Sequence, residues 1–229
     1  MNRLALDTSS LACSVAISVN DSVLGRHEEQ SREHTRLLMP MIRELLGEAG
    51  VSLQELDGIV LGNGPGSFIG MRIAASVAQG LAHGAGLRIL PLSSLAAVAL
   101  RAGEPGDVVA VAQDAHMNEV YLGVYEVLSP EAVRAIGGET LQPQAAIAEL
   151  PDCIAAGYGW QRYPALLEQN QGAVQHVSDV LYPDARDLLR LAGPLFERDA
   201  IAPEDVQPAY LRQKVAEKPG GENRNASVT

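Results

Sequence analysis

The chain has 229 residues, enough to bury a core as one large domain or two small ones. Hydrophobic residues make up 47% and charged residues 20%, the balance of an ordinary globular protein. With 17 Lys and Arg against 28 Asp and Glu, the formal net charge is -11, which argues against a basic groove for an RNA backbone across the whole surface.

The N-terminus runs directly into a strand pattern with no basic-then-apolar leader, and no apolar run approaches a membrane span, so a cytoplasmic protein is expected. "RLALD" predicts a first strand. In the next, Val15, Ile17 and Val19 alternate with Ser14, Ala16 and Ser18, and Asn20-Asp21 turns into a third at "SVLGRHEEQ". Leu37, Leu38, Met41, Ile42, Leu45 and Leu46 form a wide helical stripe ended by Gly50, with Pro40 as a kink or a late start. Ser52 and Glu55 have capping-box spacing. "DGIVLGNG" is a strand, followed by a glycine loop and a helix to about His83; "LRILPLSS" and "SLAAVALRAG" are a strand and a helix.

After "GEPGD" the pattern restarts. Asp114 ends a strand as Asp7 does, and in each case the next strand begins about six residues on, a candidate duplication. Helices are expected around "PQAAIAEL", "YPALLEQ" and "DARDLLRLAGPLFER", with a strand at "CIAAGYG". Residues 1–104 and 105–215 are read as two subdomains, the last helix packing back on the first, and the polar composition of 216–229 predicts a disordered tail.

The glycine loop, "LGNGPGSFIGMR", has the grammar of a phosphate site, yet Ile69-Gly70-Met71 stands where a P-loop needs Lys-Ser/Thr. Two readings stay open there: an anion contact through Asp7, Thr8, Ser9, Gly64, Gly66 and Ser67, or a tight turn only glycine can make. Asp7 and Asp114 could equally orient a metal or a water, or close Asx turns. In the following helix, Gly70, Ala74, Ala78 and Ala82 form a ridge of small residues beside Ile73, Val77 and Leu81. That ridge either packs internally or lets a partner come close. His27, His34, His83, His116 and His176 lack metal-ligand spacing, and Ser67 lacks a nucleophile-elbow frame, so neither catalytic residues nor a metal site are expected. Cys13 and Cys153 read as buried free thiols. Tyr158 and Trp160 could stack on a base or pack internally.

Taken together, "LALDTSS", "HTRLLMPMI", "GNGPGSFIGMRI" with "ILPLSSL", "QDAHMNEVYLGVY" and "PAYLR" resemble the TsaB (YeaZ) family of tRNA threonylcarbamoyladenosine biosynthesis subunits over nearly the whole chain. The resemblance implies an α/β fold of the actin, sugar-kinase and Hsp70 type, two duplicated subdomains with mixed five-stranded sheets. It sets Ser94 and Val98 where the catalytic paralogue TsaD carries two metal-binding histidines, and so implies a non-catalytic subunit. With TsaD and the ATPase TsaE, such a subunit supports transfer of a threonylcarbamoyl group onto the adenosine beside the anticodon of tRNAs reading A-starting codons. The tRNA would be met only through the complex. No cofactor is expected in the isolated chain, with ATP or ADP at the assembled complex. The expected interface uses Leu37, Leu38, Met41, Ile42, Leu45, Gly70, Ala74, Ala78 and Ala82 against TsaD, or against a second copy when isolated. The alternatives are an actin-fold ATPase or small-molecule kinase and, behind these, a protease.

Overall fold

The computed structural model describes residues 1–20, 22–29, 33–146, 150–193 and 195–211; the tail expected at 216–229 lies outside the described residues. The first half begins with an antiparallel meander of β1 (Arg3–Asp7), β2 (Cys13–Val19) and β3 (Ser22–Glu28). Helix α1 (His34–Ala49) follows, runs through Pro40 and ends at Gly50. The Ser52–Glu55 capping box forms, on a single 3-10 turn. Strand β4 (Gly58–Gly62), helix α2 (Phe68–Ala85) and strand β5 (Ile89–Leu92) complete a five-stranded sheet of order β3-β2-β1-β4-β5, with β4 parallel to both β1 and β5.

The second half repeats this wiring. After α3 (Ser94–Ala102) come β6 (Val108–Asp114), β7 (Glu119–Ser129), β8 (Ala132–Ala135), β9 (Thr140–Pro143) and β10 (Cys153–Ala156). Then follow α4 (Tyr158–Arg162), α5 (Pro164–Asn170), β11 (Val174–Val177), α6 (Ala185–Ala192) and α7 (Phe196–Asp199). The order is β11-β10-β6-β7-β8, so β6 stands where β1 stands in the first sheet, antiparallel to the next strand and parallel to the later one. This sheet has a sixth strand, because β9 also pairs with β7. The difference falls where a helix is expected at "PQAAIAEL": Pro143 pairs with Glu119 at the end of β9, and a turn follows at Gln144 and Ala145. The long amphipathic helix is cut at Gly193 into α6 and α7. Strands β8 and β11 are too short, at four residues each, to announce themselves by alternation.

Burial follows the pleat. On one face of the first sheet Leu4, Leu6, Ile17, Ile59 and Leu61 meet α1 and α2. On the other, Ala5, Ala16 and Val60 are small and admit helices closely. The helix that fills this second face is α6, from the other half, while α3 of the first half packs on β6 and β7. The two helices touch, so one core of buried residues from Ala5 to Phe196 joins both halves. The N-terminus of α6 is tied to β2, where the Ala185 amide donates to Ser14 Oγ at 2.9 Å. Trp160 sits inside the second half with its indole N–H on the carbonyl of Ala110 at 2.9 Å, the packing reading of that residue.

Cys13 and Cys153 are both buried and free. Burial pushes their thiols up, to about 12 and about 11. Both should therefore be unreactive toward a disulfide reagent in the native protein at neutral pH and reactive after denaturation. Since the unfolded thiols ionise near 9, the stability they contribute is whole below that pH and declines as pH rises above it.

Ala78 is fully buried in the core of the first half. Replacing it by Arg should cost about 3 kcal/mol or more of folding stability, through overpacking and an unpaired buried charge. Thermal melting followed by circular dichroism measures this; a native-like melt would contradict the placement.

Candidate functional site

The glycine loop and the β1–β2 turn close on each other. Asp7, 1% exposed, accepts at Oδ1 from the amide and hydroxyl of Ser9, both at 2.7 Å. Its Oδ2 accepts from Ser94 Oγ at 2.6 Å, and that hydroxyl accepts in turn from the Gly64 amide at 3.1 Å. Thr8 Oγ1 donates to the Gly70 carbonyl at 2.7 Å, and the Ser67 amide donates to the Ser9 carbonyl at 2.6 Å. Ser67 Oγ caps α2 by accepting from the Gly70 amide at 3.2 Å. The approach leaves no room for a side chain: a Cβ on Gly66 would lie 2.1 Å from the Ser9 oxygen, and one on Gly70 1.9 Å from that of Thr8. The polar groups named here are thus engaged within the chain, and the close-packed turn accounts for the glycines. From the C-terminal side the Ala209 amide donates to the Asn63 carbonyl at 3.1 Å, and Arg72 Nε to Tyr210 Oη at 2.9 Å.

Asp114 occupies the equivalent corner of the second half and makes the same Asx bond, from the His116 amide at 2.8 Å. Its Oδ1 also accepts from Tyr163 Oη at 2.7 Å, and burial with this bond raises the phenol to about 12. Unlike Asp7, it faces open space. A cleft of about 770 Å3 runs between the halves, walled by Ser9, Ser10, His34, Thr35 and Ile73 on one side and Gln113, Asp114, Tyr158 and Tyr182 on the other. Tyr163 and Tyr182 carry no motif, and the strand-end position of Gln113-Asp114 in "QDAHMNEVYLGVY" is the signal that points to this corner.

The outer face of the first half is the second feature. Of the nine residues expected at an interface, Leu38, Met41, Ile42, Leu45, Gly70, Ala74, Ala78 and Ala82 are buried in this chain; Leu37 alone is half-buried. The small ridge faces inward because α2 lies close on β1 and β4. The ridge beside it is open. Ile69 is 70% exposed, Ile73, Val77 and Leu81 are half-buried, and Ser76, Gly80 and Gly84 are exposed at four-residue spacing. Half-buried Met39 and Leu46 of α1 adjoin the same apolar layer.

Residues 27–170 match the family described as TsaD, tRNA N6-adenosine threonylcarbamoyltransferase. The tRNA threonylcarbamoyladenosine biosynthesis protein TsaB of Haemophilus influenzae is 38% identical, over 97% of this chain and 99% of its own. That of Escherichia coli is 36% identical over 97% and 100%. The chain belongs to the TsaB (YeaZ) family. YeaZ from Pseudomonas aeruginosa superposes with a TM-score of 0.84 at 39% identity, covering 92% of this chain and 99% of that one, which fixes the actin-like fold.

In this TsaB-family chain Ser94 and Val98 are both fully buried, the serine bound to Asp7 and the valine in the core shared by the halves. No group of three or more His, Cys, Asp or Glu could hold a metal among the described residues. No helix among them is long and apolar enough to cross a membrane.

Ser94→Ala would strand Asp7 Oδ2 and the Gly64 amide at once. We expect a loss of about 2 kcal/mol, from two buried groups left unpaired. Urea unfolding should show a lower midpoint with an unchanged slope.

Proposed function

We propose that this chain is an accessory subunit of a tRNA threonylcarbamoyl transferase, docking a TsaD-type partner through the outer face of α1 and α2. The open ridge of α2 carries the reading. Ile69, Ile73, Val77 and Leu81 give an apolar stripe, and Ser76, Gly80 and Gly84 beside it let a second helix approach closely. Relatives named for threonylcarbamoyladenosine biosynthesis support the pathway. In the isolated protein a second copy covers the same face in a two-fold pair.

The engaged hydrogen bonds of the glycine loop support a chain that neither hydrolyses ATP nor holds it alone, ATP or ADP entering at the assembled complex together with a TsaE-type ATPase. The net charge of -11 supports a subunit that meets tRNA only through its partners, in the cytoplasm.

Gly80 offers a clean test, because a side chain built there has no neighbour within 4 Å. Gly80→Arg should leave the fold intact, even raising helix propensity. Against a partner helix it should cost about 3 kcal/mol, roughly a hundredfold in affinity. Melting and sedimentation of the chain with its TsaD-type partner separate the two effects; unchanged association would reject the face.

Depleting the protein should lower threonylcarbamoyladenosine in tRNA, read by nucleoside mass spectrometry. The wild-type chain should restore it and Gly80→Arg should not. Unchanged modification after depletion would refute the functional assignment itself.

A further inference from the structure

The geometry points to the cleft between the halves as a site for a small organic cation, its ammonium group held by Asp114 and Gln113 against a wall made by Tyr158 and Tyr182. This inference is independent of the partner proposed above.

The first reason is which hydrogen-bonding capacity is left unspent. Asp114 Oδ1 is saturated by Tyr163 Oη at 2.7 Å and the His116 amide at 2.8 Å. Those two bonds fix the carboxylate, while its Oδ2 has the His116 ring at 3.4 Å, on a side chain 76% exposed at the mouth. Gln113 lines the cleft, 5% exposed, and its amide is fixed by Nε2 donating to the Leu181 carbonyl at 2.7 Å. His34 is 8% exposed and lies 3.1 Å through Nε2 from the Ser10 carbonyl. A carbonyl only accepts, so Nε2 carries the proton and Nδ1 is an acceptor, buried and without a partner. Burial holds this imidazole below its ordinary range, which keeps it neutral. Asp114 thus brings a fixed carboxylate to the cleft, beside Gln113, whose amide carries an acceptor oxygen. The ligand chemistry they match is a group with several N–H donors and no lone pair, which describes an ammonium.

Charge gives the same answer. Among the described residues lining the cleft there is no Lys or Arg, and Asp114 is the one carboxylate. Among the described lining residues a polyphosphate would meet no Lys or Arg and one fixed carboxylate. Tyr158 and Tyr182 line the same cleft with rings 5.5 Å apart at 37°, and aromatic rings of this kind attract cations. Burial and the neighbouring Tyr158 raise Tyr182 to about 12, so it stays an uncharged phenol at neutral pH.

The corner is also held at a cost. His116, Met117 and Asn118 have φ of 60°, 55° and 60°, three successive non-glycine residues in the left-handed region. This turn sets the His116 amide on Asp114, and backbone strain of this kind gathers where a side chain must be pre-positioned.

The test uses the full chain and four probes of known charge: phenethylammonium, its neutral isostere 2-phenylethanol, phenylacetate and ATP. Ligand-observed NMR and calorimetry read the binding. Phenethylammonium should saturate, at least roughly tenfold tighter than the alcohol, with phenylacetate and ATP weaker still. Asp114→Asn should weaken the ammonium by roughly tenfold or more, and Tyr158→Ala several-fold, with both melts near that of the wild type. Asparagine keeps an acceptor for Tyr163 and the His116 amide, so the charge alone is removed. Failure of phenethylammonium to saturate would overturn the inference. So would binding of the alcohol, phenylacetate or ATP as tightly as the ammonium, or an ammonium affinity indifferent to Asp114→Asn. Should the Asn variant melt early, the wild-type probe series and Tyr158→Ala decide the matter without it.

Discussion

The two halves of this protein are held together by an exchange of helices. Helix α3 follows the first sheet yet packs on the second, and α6 follows the second sheet yet packs on the first. Each sheet exposes an apolar inner face that its own half leaves uncovered. Neither half can therefore bury its core alone, and folding has to be cooperative across both. The small residues Ala5, Ala16 and Val60 are the local condition for this, since they let α6 come close to β1, β2 and β4. The cleft lies at one end of this packing, between the β1–β2 turn with the starts of α1 and α2 on one side and the end of β6 on the other.

Those two ends show how a duplication can diverge while its geometry persists. Asp7 and Asp114 end equivalent strands and accept the amide two residues on, at 2.7 and 2.8 Å. Around Asp7 the sequence then supplies Ser9, Ser94 and a glycine loop, and the carboxylate is consumed by its own chain. Around Asp114 it supplies Tyr163 and a strained turn, which hold the carboxylate without closing over it. The same corner is a structural lock in one half and an open acceptor in the other. The lock also ties the cleft wall to α2, through the Thr8–Gly70 and Ser9–Ser67 bonds.

Much of the fold was legible because its signals were local. The alternation of Val15, Ile17 and Val19, the capping box at Ser52 and the Asp7/Asp114 restart all report on neighbours in sequence. Of the helix expected at "PQAAIAEL", residues 147–149 lie outside the described residues; at its start Pro143 pairs with β7 and a turn follows, and no local pattern encodes that distant partner. Helix α2 shows the sharper limit. Its period revealed two ridges, small and branched, but periodicity does not say which one faces the sheet. The small ridge was assigned to a partner because close approach needs small residues, yet the sheet needs close approach as well. The cleft was less legible still: Gln113, Tyr158 and Tyr182 come from three separate elements and meet only through the second sheet.

The duplication is unequal in one respect that bears on assembly. Between β3 and β4 the first half inserts α1, which lies on the sheet beside α2. At the matching place between β8 and β10, the described residues of the second half hold β9 and a turn instead. Among the described residues the molecule thus shows a single paired-helix face. Subunits with two such faces add end to end, and a filament can grow; a subunit with one is saturated by its first neighbour. In an architecture whose symmetric form would offer two points of growth, the described residues of this chain supply one. An assembly built through that one face would close as a pair.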